Sequence, residues 1–128
     1  MTSPLSGAAG DTSSTGLSAN VAGAIAYLLG PITGVILLII EKESRFVRFH
    51  AAQSTVLGVA MVVVSIVLSI LTTILAVVPI LGWLAAILLN FVFSLACFVL
   101  WIVLMWKAFN GEEWEFPIAG AYARSMIK

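Results

Sequence analysis

The sequence predicts an all-α integral membrane protein with three transmembrane helices, the first kinked at Gly30-Pro31 and the second and third forming a hairpin. Residues 51–106 contain no charged side chain. About 20 apolar residues cross the hydrocarbon core of a bilayer as a helix, so this stretch holds two crossings. Near its middle lies Pro79-Ile80-Leu81-Gly82, where a proline and a glycine three positions apart turn the chain sharply. Of the 128 residues, 62% are hydrophobic and 9% charged, which places the chain outside the range of soluble domains. Net charge is zero and the six cations are split between short flanks, so no basic field exists to hold nucleic acid. Cys97, the single cysteine, excludes an intramolecular disulfide and any metal site built on several thiolates, and reads as a small packing residue.

Residues 1–16 are rich in Ser, Thr and Gly and are expected to form a disordered tail. No Lys or Arg precedes Lys42, so the basic start of a secretory signal is missing and the first apolar segment is expected to stay in the mature protein. That segment, residues 17–40, is long enough for one span, with Gly30-Pro31 as its kink. Gly23, Tyr27, Gly30 and Gly34 recur at helical spacing, and Gly30 with Gly34 makes a small-xxx-small pair that admits a neighbouring helix. A broken helix whose ends line a transport site is the alternative, although no charge lies nearby to support it.

Residues 41–53 form the most informative polar segment. Phe46, Phe49, His50 and Gln53 fall at i, i+3, i+4 and i+7, with Arg45 and Arg48 on another face, the pattern of an interfacial helix leading into the second span. Lys42, Arg45 and Arg48 mark this loop as cytoplasmic by the positive-inside rule. Lys107, Arg124 and Lys128 place the chain end on the same side, with the N-terminus outside and the protein in the cytoplasmic (inner) membrane.

The second and third spans, residues 54–78 and 83–106, carry matching polar stripes. Gly58, Ser65, Ser69 and Thr72 lie near one face of the former, and Asn90, Ser94, Cys97 and Trp101 near one face of the latter. A hairpin folded about Leu81 sets Thr72 against Asn90 and Ser65 against Cys97, predicting a seam hydrogen-bonded across the helices. The seam carries no ionisable group of the kind that marks proton relays and coupled pumps.

Residues 107–128 form the tail. Asn110-Gly111 is a helix stop, since both residues tolerate the left-handed conformation. Trp114 and Phe116 alternate with Glu113 and Glu115, so a short extended piece lays both rings at headgroup level, and Pro117 opens a small terminal helix. Glu112, Glu113 and Glu115 are expected to clip the tail to Lys42, Arg45 or Arg48.

Little here points to chemistry. His50 has Gln53 beside it and no second zinc-type ligand, so it reads as a residue bonding backbone or Gln53. His50 with Ser54 lacks an orienting acid, and Gly30-Pro31-Ile32-Thr33-Gly34 lacks the lysine of a nucleotide loop. No catalytic residue, cofactor or metal is expected, and the chain reads as a non-enzyme.

Gly30-Pro31, the turn Glu41-Lys42-Glu43-Ser44, Phe46-Val47 with His50 and Gln53, and Asn110-Gly111-Glu112 with Trp114, Phe116 and Pro117 together resemble a widespread prokaryotic family of small membrane proteins of unknown function. That family is distantly similar to the Tic membrane subunit of the chloroplast protein-import translocon. The resemblance covers residues 20–128 and implies a helical membrane fold without established catalytic residues. Together these features point to a subunit or scaffold whose Gly face contacts other membrane proteins or a second copy, with a translocation role implied only by the resemblance. The alternatives are a homo-oligomeric channel along the Ser, Thr and Asn seam, and a membrane-shaping protein acting through residues 46–53 and the aromatic tail.

Overall fold

Two long helices carry the architecture. In this computed structural model, which describes residues 13–127, α1 spans Ala19–Leu28, α2 Pro31–Ile40, α3 Arg45–Leu75, α4 Leu81–Phe109 and α5 Ala119–Met126, with no strand among the described residues. The expected tail therefore lies outside the described residues over 1–12, whereas Ser13 to Gly16 form a turn in which Gly16 N–H donates to Ser13 O at 3.0 Å. Of the five helices, α3 and α4 are long and apolar enough to cross a membrane. Trp83 and Trp106, 52% and 65% exposed, mark the two ends of α4. They stand about 35 Å apart at 1.5 Å per residue, matching a hydrocarbon core of about 30 Å with an aromatic ring at each boundary.

The single kinked crossing expected over residues 17–40 is replaced by a helical hairpin. Gly30 has φ 65° and ψ −132°, which ends α1 and restarts the chain with Pro31 at the first position of α2. The two halves then run in opposite directions along α3. A Cβ on Gly23 would meet Phe46 and His50 of α3, so α1 rises parallel to α3; Gly58 faces Pro31, Gly34 faces Ser54 and Ala51, and Leu38 O accepts from Arg48, so α2 descends. Backbone freed at the break finds partners: Thr33 Oγ1 donates to Ala26 O at 3.1 Å and Ser54 Oγ to Gly30 O at 2.9 Å.

Both ends of this hairpin consequently meet. Ser14 N–H donates to Glu41 Oε2 at 2.8 Å, and Lys42 N–H to Ser14 Oγ at 2.7 Å. The first described residues and the charged loop lie at the same end of the bundle. A Cβ on Gly30 would meet open space, so this glycine serves the turn, while Gly23 and Gly34 are packed against α3. The Gly face is thus internal and is not the outward contact it was expected to be.

At the other end, Leu81 N–H donates to Pro79 O at 2.8 Å and Gly82 N–H to Val78 O at 3.0 Å, turning α3 into α4 where Pro79 to Gly82 predict it. The polar seam does not form as expected. Thr72 and Thr73 hydroxyls donate to Ser69 O, and Asn90 Nδ2 to Ala86 O at 2.9 Å, each within its own helix. Ser65, Ser69, Asn90 and Ser94 are exposed. Residues three or four back supply an acceptor without any partner helix, so a stripe of hydroxyls does not itself pull two helices together.

A Cβ on Gly82 would lie 1.7 Å from Leu75 O, a backbone atom that no rotamer change can move. Gly82→Ala is therefore expected to destabilise the protein by about 2 kcal/mol or more, as overpacking does, read as a lower unfolding midpoint in detergent; an unchanged midpoint would mean the turn is differently built.

Candidate functional site

The apolar face of residues 41–53 is covered by protein and is not an exposed amphipathic surface. These residues pass directly into α3, with Ser44 as N-cap accepting from Val47 N–H at 3.2 Å, and Phe46, Phe49, His50 and Gln53 are essentially inaccessible. Burial at this end is produced by α1 and α2 on one flank and by the tail on the other. Phe49 and Ala52 pack with Ala123 and Ile127 of the tail, while Tyr27, Leu57, Leu104, Ala108 and Ala119 form a second cluster against which Trp114 and Phe116 rest.

Polar side chains inside this packing form a closed network. His50 Nε2 lies 2.9 Å from Glu112 O, a group that only accepts, so Nε2 carries the proton and Nδ1 accepts from the Tyr27 hydroxyl at 2.7 Å. Gln53 Nε2 donates to Tyr27 Oη at 2.8 Å and to Trp114 O at 3.0 Å, and Gln53 Oε1 accepts from Phe116 N–H at 2.8 Å. Two side chains of α3 thereby hold three backbone groups of the segment between α4 and α5. Phe46, Phe49 and Tyr27 stand edge-on around the imidazole at centroid distances of 4.6, 5.1 and 5.4 Å, which fixes its orientation. Trp101 Nε1 adds a bond to Tyr27 O at 2.7 Å, tying α1 to α4.

The tail does fold back over the start of α3, but the expected ion pairs with Lys42, Arg45 and Arg48 are not what secures it. Glu113 and Glu115 pair with Arg124 at 2.9 and 2.6 Å, and Glu112 with Lys107 at 3.2 Å, all within the tail or its junction. Partial burial opposes the charge of Arg124, but the two carboxylates outweigh it and hold the guanidinium above its ordinary range. Its guanidinium carbon lies 4.3 Å from the centroid of Phe49. Arg48 acts on the opposite flank, where its Nη1 donates to Leu38 O and Glu41 O, both at 3.0 Å, and so closes the last turn of α2. Buried Glu41 accepts from Ser14, Glu43 and Ser44 N–H groups on Oε2, locking the loop between α2 and α3. Lys42 and Arg45 are exposed, and Pro117 ends the extended piece two residues before α5 begins.

Above the hairpin tip, the flank of α3 is open. Pro31, Gly58, Met61, Ser65 and Ser69 border an apolar recess of about 480 Å³, next to a smaller cavity of about 300 Å³ at Tyr27, Cys97 and Trp101. Of the small and polar residues in the two stripes, Gly58 meets α2 and Cys97 borders the cavity, whereas Ser65, Ser69, Asn90 and Ser94 are exposed. Among the described residues no group of three His, Cys, Asp or Glu is placed to hold a metal ion.

Residues 12–123 match the model of the magnetosome magnetite crystal formation protein family. The chain belongs to this family. It is also similar to archaeal proteins named UPF0132 membrane proteins: one from Methanocaldococcus jannaschii is 46% identical over 110 residues, covering 86% of this chain and 89% of the relative. Another, from Archaeoglobus fulgidus, is 42% identical over 108 residues, covering 84% and 94%. No solved structure matches the chain. The relatives' names agree with the two apolar helices in making this a membrane protein.

Gln53→Leu removes three hydrogen bonds at once and strands buried partners, each worth about 1–3 kcal/mol when left unmade. The expected result is a tail cleaved by protease between Glu112 and Phe116 at least tenfold faster, measured in detergent. Arg45→Glu, by contrast, is expected to leave that rate unchanged, because Arg45 holds nothing in the tail; faster cleavage in this variant would restore the electrostatic clip.

Proposed function

We propose that this chain is a non-enzymatic membrane scaffold: a cap sealed by the Tyr27, His50 and Gln53 network at one membrane face, and a two-helix arm that binds other membrane helices. The observation that carries this reading is the recess above Pro31. Gly58, Ser65 and Ser69 give α3 a flank of small residues where a helix can approach closely, and the hairpin covers only its lower part. All described charged residues sit on the cap, so by the positive-inside rule the cap, with both described ends of the chain, faces the cytoplasm and α3 and α4 are the two full crossings.

The family's description speaks of crystal formation. In this reading such a role is exercised through assembly in the membrane, since the turn at the far end, Ala76-Val77-Val78-Pro79-Ile80-Leu81, offers no side chain for mineral. A translocon-like role is the version in which the docked helix is a passing client. The Thr72, Thr73 and Asn90 side chains, bonded to carbonyls of their own helices, do not support a solute path through one copy.

Photocrosslinking in cells from position 69 on the recess flank, compared with Val67 on another face of α3, tests the proposal. Adducts to one membrane protein or to a second copy from position 69 alone are expected; adducts to many unrelated chains would indicate passing clients, and lipid adducts only from both positions would sink the docking reading.

A further inference from the structure

We infer that the molecule is a wedge that prefers membrane curved convex toward its cap, and so senses or supports that curvature. The inference rests on the two-crossing topology proposed above. The shape follows from how far the hairpin of α1 and α2 reaches. Leu38 stands level with Arg48, and Pro31 packs on Gly58 so closely that a Cβ there would lie 2.5–2.7 Å from the proline ring. From Arg48 to Gly58 is about 15 Å along α3 at 1.5 Å per residue, so in a hydrocarbon core of about 30 Å the hairpin reaches no further than the near half. Beyond Gly58, α3 continues to Leu75 with only α4 beside it, a further length of about 25 Å.

Cross-sections at two depths therefore differ. In the leaflet next to the cap the plane cuts α1, α2, α3 and α4; in the far leaflet it cuts α3 and α4 alone. Helices with side chains are each about 10 Å across, so the protein displaces about twice as much area from the near leaflet as from the far one. At the cap itself α5 adds a further helix, with Ala119, Gly120, Ala123 and Ile127 facing inward and Ile118, Tyr122 and Met126 exposed. The hairpin is held at this depth from both sides: the bonds between Ser14 and Glu41 fix its base, and Ser54 on Gly30 O fixes its tip. It cannot slide through to fill the far leaflet without breaking them. A body with such a taper is accommodated at lowest cost where the near leaflet is stretched, on a convex surface with the cap outward.

The test reconstitutes the full chain, Cys97→Ser with a fluorophore on Lys42→Cys, into phosphatidylcholine vesicles with diameters from about 30 to about 200 nm, so that curvature, to which membrane binding is sensitive, varies several-fold. An impermeant quencher separates molecules with the cap outward from those with it inward, and single-vesicle imaging gives density per area. Cap-outward molecules are expected to be roughly twofold or more denser on the smallest vesicles, and cap-inward molecules to be depleted there. Equal densities across sizes, or the reverse order, would overturn the inference. Labelling of Ser14→Cys and Lys42→Cys with an impermeant thiol reagent in sealed vesicles checks the topology separately: reaction from the same face leaves the wedge to be judged by density alone, whereas reaction from opposite faces overturns the topology and the wedge with it.

Discussion

The peptide groups between Glu112 and Phe116 need partners in a place where water is scarce, and Tyr27, His50 and Gln53 supply them. This is the constraint on which the cap depends. An extended segment pressed against an apolar bundle must satisfy its N–H and C=O groups or forfeit the full desolvation cost of each. Gln53 has one donor pair and one acceptor, and all are used; His50 and Tyr27 complete the chain without any net charge. Because Tyr27 comes from α1, His50 and Gln53 from α3 and the carbonyls from the tail, one network joins three parts of the chain that are far apart in sequence. The ion pairs around Arg124 then act within the tail, where they are partly exposed and individually weak.

Much of the architecture was legible. Hydropathy and the absence of charge over residues 51–106 locate α3 and α4, Pro79 and Gly82 locate the turn between them, and Asn110-Gly111 ends α4, with Gly111 at φ 84°. The spacing of Phe46, Phe49, His50 and Gln53 correctly groups these residues on one face, yet spacing says nothing of what covers that face. It reads equally as lipid-facing or as buried under the tail. The fold-back of residues 17–40 was harder to see because length and apolarity are the same for a helix that crosses and for a hairpin that returns. Its only local signal is Gly30-Pro31, and a proline there permits a kink, a break or a first helical turn; the positive φ of Gly30 decides for the break. Only its spacing marks Tyr27 in the sequence, since its importance arises from contact with residues more than twenty positions away.

Charge counting misassigned the partners of the tail for a related reason. Opposite charges on neighbouring flanks make a pairing plausible, but Arg124 is nearer to Glu113 and Glu115 than the loop cations are, and Arg48 is drawn to the open carbonyls of α2. Polar residues in the two long helices behaved similarly. Thr72, Thr73 and Asn90 each found an acceptor within their own helix, so the stripes that suggested a seam across the hairpin instead leave small side chains facing outward.

The turn joining α3 and α4 has a bearing on how such a molecule enters a membrane. Residues 76–82 are Ala, Val, Val, Pro, Ile, Leu and Gly, with Trp83 just beyond, bonded through Nε1 to Ala76 O at 3.0 Å. Nothing in the part that must travel through the oily interior carries a charge, and its one indole donor is already satisfied. Translocating this tip therefore involves none of the charge-transfer penalty, about 2.5–3.5 kcal/mol per residue at the bilayer centre, that a charged outer loop would impose. In the proposed two-crossing topology the helical pair passes in from one side as a unit, and every described ionised group stays on the side from which it started.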